Sequence, residues 1–310
     1  ATIRQKAWVK EPYRLDLVWS YSEKSRNQGI AAVLPEYARV QVTRFNPTQD
    51  PRKTVLATSA TGQPKSISPL ELKSRVKRLP NGDVLIPNVP MVDQDQKGYC
   101  AAAVSERVLR YFGRTLDQHE IAQLARTTAD GGTNPDQMVA ALRRIGDETK
   151  LEVGTIQDFD AREFEKTVAD YNRAAKRSKK PAVEWMHSDG NLIIVESPMA
   201  VYLAMDIDLF RDVRLKHDGG LQQFKLTVNR HINNGVPLAW GCIVGKVPEK
   251  PAIPAFGGHM RLIIGYNDQT KELLYSDTWG AGHELKRLSW NDAWTITLGL
   301  YSLQPREVHF

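Results

Sequence analysis

The stretch Gln94-Asp-Gln-Lys-Gly-Tyr-Cys100-Ala-Ala-Ala103 forces a loop to turn directly into a helix, with a cysteine at the junction. Apolar residues then recur at Val104, Val108, Tyr111 and Phe112, the spacing of one helix face. Polar Ser105, Glu106, Arg107 and Arg110 lie between them, and Gly113 provides the stop. A thiol in the first turn faces unpaired backbone N–H groups and the positive end of the helix dipole, both of which favour thiolate. Gln94, upstream of the thiol, can offer an amide N–H to a developing oxyanion beside the backbone N–H of Cys100. The competing reading of this stretch alone is a buried, inert cysteine.

The second half of the chain answers with the partners such a thiol needs. Gly257-Gly-His259-Met-Arg-Leu-Ile-Ile-Gly-Tyr-Asn267 and Glu272-Leu-Leu-Tyr-Ser-Asp277-Thr-Trp-Gly280 are β-rich runs around a polar turn, which predicts a hairpin. With the turn centred on Asp268 or just after it, His259 falls opposite Asp277 or its neighbour at the open end. Cross-strand partners have Cβ atoms ~5 Å apart, so the carboxylate can hold one imidazole nitrogen and turn the other toward the thiol. Trp279, two residues after Asp277, reads either as a shield of the pair from water or as a plain packing tryptophan.

These residues, in this order and spacing, resemble the C39-like peptidases, papain-fold cysteine peptidases related to the double-glycine leader peptidases of bacterial exporters. Asp117-Gln-His-Glu-Ile-Ala-Gln-Leu-Ala-Arg126 and Gly131-Gly-Thr-Asn-Pro-Asp-Gln-Met-Val-Ala-Ala-Leu-Arg-Arg-Ile-Gly146 are similar to that family's helical half, so the resemblance covers about 88–153 and 233–303. It implies Cys100 as nucleophile, His259 as general base and acid, Asp277 as the orienting carboxylate and Gln94 in the oxyanion hole. The exporter peptidases usually carry Asp-Cys-Gly where this chain has Tyr99-Cys100-Ala101, and Asp-Pro where it has Asp277-Thr278, so double-glycine specificity does not carry over.

The fold class expected is α+β: a papain-like domain over 88–310, with a helical lobe and an antiparallel β half. It carries an insertion at about 155–232 and follows a small β-rich module at 1–87. In that module Tyr13–Tyr21 and Ala38–Phe45 alternate like half-buried strands, and Thr54–Thr58 is a further candidate. Ser68-Pro-Leu-Glu71 reads as a capping box opening a helix to about Leu79. Helices are expected to start at Thr115-Leu-Asp-Gln118 and Asn134-Pro-Asp-Gln137 behind the cysteine. In the insertion, Asp160 to Lys180 is a helix with Phe164, Val168 and Tyr171 inward. Asn191–Val195 is a strand, and Ala200–Met205 and Leu221–His231 are helical. Asp206, Asp208 and Asp212 lack the glycine and ligand spacing of a calcium loop, and the remaining histidines lack paired ligand spacing, so neither metal nor cofactor is expected.

Composition narrows the partners. A formal charge of +6 without a clustered basic face points away from nucleic acid, and no run approaches the roughly 20 apolar residues of a membrane span. Two cysteines make no disulfide framework, and Cys242, alternating with Leu238, Trp240 and Val244 in a predicted strand, reads as a core thiol. The expected partner is a peptide or protein substrate. Thiol acyltransferase or isopeptidase chemistry with the same residues, and a silent binding module on a peptidase fold, are the alternatives. A chain that starts at Ala1 and resembles this family is expected to be a secreted or cell-envelope bacterial protein, or otherwise cytoplasmic.

Overall fold

The computed structural model describes residues 2–10, 13–21, 37–44, 67–94, 98–114, 116, 118–125, 139–140, 142–143, 150–189, 192–216, 218–253 and 255–308. It divides into two compact units, Ala1–Thr61 and Gly62–Phe310. The first holds a three-stranded antiparallel meander of β1 (Thr2–Lys10), β2 (Tyr13–Tyr21) and β3 (Tyr37–Arg44), in the order β1-β2-β3. The candidate strand at Thr54–Thr58 lies outside the described residues.

The second unit opens with helix α1 (Pro69–Ser74). Ser68 caps it by accepting from the Glu71 N–H at 3.1 Å, with Pro69 at the first helical position. It ends short of the expected Leu79, because Lys77–Arg78 (β4) turns back to pair with β5 (Asp83–Leu85). The domain boundary expected near residue 87 therefore moves to about 61, since β5 also pairs with β10 (Gly257–Asn267) in the main sheet.

That sheet is antiparallel throughout and runs β12-β11-β10-β9-β13-β6. Its members are β12 (Lys286–Ser289), β11 (Glu272–Ser276), β9 (Leu238–Val244), β13 (Thr297–Pro305) and β6 (Leu151–Gln157). β9 covers one edge of β10 only as far as Ile263, and β5 takes up the remainder from Gly265 to Asn267. Gly265 permits this: a Cβ there would stand 2.6 Å from the Val84 carbonyl oxygen. β9 is buried along nearly its whole length between β10 and β13, with Trp240 and Cys242 at 0% exposure, as the core-thiol reading of Cys242 expects.

Helix α2 (Cys100–Tyr111) packs against β10, and α3 (Gln118–Leu124) packs on α2. Residues 139–140 and 142–143 are helical, while the expected start at Asn134 lies outside the described residues, as do Thr115 and Asp117 of the earlier box. The insertion forms α4 (Ala161–Ser178), the hairpin β7 (Met186–Asp189) and β8 (Leu192–Val195), then α5 (Pro198–Ala204), α6 (Ile207–Leu215) and α7 (Asp218–Asn233). In α4 the Asp160 cap and the buried stripe Phe164, Val168 and Tyr171 follow the sequence pattern. Helix α6 was not anticipated. Asp206, read as part of an acidic cluster, is its N-cap and accepts from the Leu209 N–H at 3.1 Å. Helix α8 (Trp290–Ile296) sits between β12 and β13 in the chain and packs on α6 and α7. Among the described residues no helix is long and apolar enough to cross a membrane.

Candidate active site

Cys100 begins α2, half-buried, with Tyr99 at the N-cap position and no side-chain cap on the helix. Its first-turn N–H groups are thus left without a capping side chain, the condition under which a helix start attracts negative charge. The groups that act on the thiol are the His259 imidazole and the backbone N–H groups of Met260 and Ala101. Burial pushes its pKa up, but the His259 hydrogen bond and charge, with those N–H groups, overcome this and hold it below the ordinary value. Cys242, by contrast, is pushed up to about 12 by burial and is an inert core thiol.

His259 lies on β10 and is 7% exposed. Its Nε2–H donates to Asp277 Oδ1 at 2.6 Å, which leaves Nδ1 as the ring nitrogen for the thiol. Burial lowers the imidazole pKa, yet the hydrogen bonds to Asp277 and Cys100, with their charges, raise it to about 9. Asp277 is fully buried. Burial would raise its carboxyl, but the His259 hydrogen bond and charge, the Arg261 charge and the Thr278 N–H (2.8 Å) hold it at about 2. A lowered thiol beside a raised imidazole and an ionised carboxylate is the set of shifts that favours a thiolate–imidazolium pair. The Trp279 ring stacks on His259, centroids 5.4 Å apart and planes at 25°, giving the imidazole an apolar cover.

His259 and Asp277 are not cross-strand neighbours, as the hairpin register had suggested. β10 and β11 pair from Leu262 with Ser276 to Asn267 with Glu272, and His259 faces Cys242 of β9. The turn occupies 268–271, further along than expected. Asn267 Oδ1 accepts from the N–H groups of Gln269 and Thr270, Lys271 stands at φ 61°, and a bulge between Ile263 and Gly265 adds a residue to β10. The two side chains meet because Asp277 leaves the strand and is held there. Its N–H donates to the His283 carbonyl at 2.9 Å, and its own carbonyl accepts from Arg107 Nη1 at 2.9 Å.

Arg107 belongs to the cysteine helix, 1% exposed, and also donates to Pro90 O (2.8 Å) and Ser276 Oγ (2.5 Å). It therefore ties the helix that Cys100 begins to the segment bearing Asp277. The sequence pattern had set it among the polar residues between the apolar ones, with no sign of its distant partners. Gln94 is 3% exposed and bound to the same segment. Its N–H donates to Thr278 O (2.9 Å), and its side-chain Oε1 accepts from Thr278 Oγ1 (2.6 Å). With the amide oxygen engaged, Nε2 is the end that remains to donate to a ligand.

Gly257 and Gly258 lead into His259 for different reasons. Gly257 has φ 129°, which disfavours any side chain, whereas a Cβ on Gly258 would lie 2.9 Å from Met199 Cε of α5. The insertion thus reaches β10 at the residue before the imidazole.

No protein-family model matches this chain, and no curated protein matches its sequence. Among solved structures it is similar to the peptidase domain of Streptococcus ComA, a bi-functional ABC transporter involved in a quorum-sensing pathway. The identity is 13%, covering 70% of this chain and 99% of that one, with a TM-score of 0.35. It is also similar to Xylellain, a cysteine protease from Xylella fastidiosa, at 12% identity over 77% of this chain and 90% of that one, with a TM-score of 0.35. What the site can do chemically is read from its own geometry.

Proposed function

We propose that this chain is a papain-like cysteine peptidase that hydrolyses peptide (amide) bonds. The observation that supports the reading is Cys100 at a helix start under the influence of His259, whose Nε2–H donates to the buried Asp277 carboxylate at 2.6 Å. The thiolate attacks the carbonyl carbon of the scissile amide. The tetrahedral oxyanion is met by the Cys100 N–H and Gln94 Nε2. His259 delivers its proton to the leaving amine, and the acyl group stays on sulfur as a thioester. The neutral imidazole then takes a proton from water, hydroxide adds to the thioester, and collapse expels the thiolate beside the imidazolium and releases the carboxylic acid, which gives its proton to solvent.

The test is alkylation of Cys100 by iodoacetamide as a function of pH, followed by turnover of a peptide library. The wild-type thiol is expected to stay reactive well below the free-cysteine pKa of ~8.5 and to lose that behaviour in His259→Ala. Cys242, fully buried, stays silent in this assay. Cys100→Ala is expected to abolish turnover. An ordinary thiol titration, indifferent to His259, would end the proposal.

A further inference from the structure

Asp277 has a second carboxylate oxygen, and the structure gives it a partner that the Cys–His–Asp arrangement does not require. Arg261 stands two residues after His259 on β10, on the same face of the strand, and is 0% exposed. Its Nε lies 2.9 Å from Asp277 Oδ2, an ion-pair contact off the hydrogen-bond axis. Its Nη2 forks onto both oxygens of Glu249, each at 2.9 Å. Glu249 is itself fixed by Tyr275 Oη (2.6 Å) and Lys286 Nζ (2.9 Å), and Lys286 also donates to the Pro251 carbonyl at 2.8 Å. The Arg261 guanidinium lies over the Tyr275 and Trp240 rings, 4.8 and 5.8 Å from their centroids.

Burying four charged side chains is costly, and an apolar cluster of the same volume would hold these strands together at least as well. The arrangement is directed rather than generic. A carboxylate that must orient an imidazole has two oxygens and a free torsion. Here one oxygen serves His259 and the Thr278 N–H, and the other meets a cation held from behind by Glu249. We infer that Arg261, clamped by Glu249, Tyr275 and Lys286, is a positioning residue that fixes the Asp277 carboxylate and keeps it ionised for His259. Glu249 and Pro251 lie in the loop that leads to Gly257 and His259, so the same cluster holds the approach to the imidazole.

Other charged or titratable groups act on Asp277: Arg107 from α2, Cys242 from β9, Tyr275 from β11 and His283 from the segment after β11. Lys286, Glu249 and Glu284 act on those groups or on one another. All of them remain in the variants below except the residue changed, so the sign of each response is set by the charge removed.

This inference rests on the peptidase reading, and the experiment separates the two. Alkylation of Cys100 against pH is measured for the wild type, Arg261→Met, Arg261→Lys and Glu249→Gln, with kcat and KM on a peptide the wild type cleaves. Removing the Arg261 cation is expected to raise the acid limb of thiol reactivity by about one pH unit, with Lys restoring it. Removing the Glu249 anion leaves Arg261 and Lys286 uncompensated and is expected to move the limb the other way. In Arg261→Met the loss falls on kcat, by roughly 10²-fold, with KM little changed. A merely structural role would leave the limb in place, or displace it in the same direction in both variants, and either result overturns the inference. If Arg261→Met does not fold, Glu249→Gln alone decides by the sign of its shift. A wild-type thiol that titrates ordinarily overturns the peptidase reading and this inference together, whereas a low wild-type limb unmoved in the variants overturns the inference alone.

Discussion

Among the described residues, Gln94 is held by Thr278, which uses both its carbonyl and its hydroxyl to do so. Because Thr278 directly follows Asp277, the proposed oxyanion donor and the orienting carboxylate are set by one short segment. Gln94→Ala removes the donor and is expected to lower kcat by ~10²–10³ while leaving alkylation of Cys100 unchanged. Thr278→Val keeps the donor but frees its carboxamide to rotate, and is expected to cost about five- to tenfold, the equivalent of one hydrogen bond worth ~1 kcal/mol. A Thr278→Val enzyme as impaired as Gln94→Ala, or one whose thiol reactivity also falls, would mean that Thr278 serves Asp277 rather than Gln94. The residues proposed to carry chemistry stand out in the sequence because each breaks a pattern: a thiol at a helix start, a histidine after two glycines, an acid at a strand end. Arg107, Arg261, Glu249 and Lys286 do not. A charged residue in a periodic stretch reads as solvent-facing, and what buries these is a partner elsewhere in the chain, 170 residues away for Arg107 and the Asp277 carbonyl.

At the scale of elements, the sheet depends on a join that local sequence does not announce. β5 attaches to β10 where β9 stops, and Asp83 at its start locks the place. Asp83 Oδ1 accepts from Asn267 Nδ2 at 2.7 Å, and both oxygens take the Arg287 guanidinium at 3.0 and 2.5 Å. One carboxylate thereby links β5, the end of β10 and β12. The Arg287 hydrogen bond, with those from Asn267 and Asn81, outweighs burial and lowers its pKa to about 2, beneath the ordinary 3.8. A depressed carboxyl contributes stability that is present above the unfolded pKa and fades as pH falls through the folded one. Asp83→Asn is therefore expected to lose about 1–3 kcal/mol near neutral pH, with the gap closing as pH falls from about 4 toward 2. Urea unfolding of both proteins at the two ends of that window checks it, and a gap independent of pH would remove the charge from the explanation. Elements with their own caps and stripes, such as α4, were readable from sequence. The partner of β5 was not, because strand pairing over such a separation is fixed by tertiary packing. The hairpin register slipped for a related reason: neither the bulge after Ile263 nor the extended turn at 268–271 has a signature strong enough to count residues by.

At the scale of the whole chain, the boundary is the point on which sequence and structure differ most. The sequence boundary near residue 87 followed the start of the family resemblance, since nothing chemical precedes it. Pairing sets it earlier, because α1, β4 and β5 are bound into the larger unit, and a Cβ on Gly235 would stand 2.1 Å from the Leu72 carbonyl oxygen of α1. Every group assigned a part in the site belongs to that larger unit: Gln94, Cys100, Arg107, Glu249, His259, Arg261, Asp277 and Thr278. So do all the strands of the sheet that carries His259. A chain cut to 62–310 is therefore expected to fold and to keep both the pH profile of Cys100 alkylation and the His259 dependence of the full chain. A chain cut to 88–310 loses Asp83, β5 and α1, leaves the edge of β10 bare from Gly265 onward, and is expected to unfold in less urea. Equal stability of the two truncations would mean that the site's sheet needs no support from α1 to β5. Loss of thiol reactivity at 62 would instead assign residues 1–61 a part in building the site.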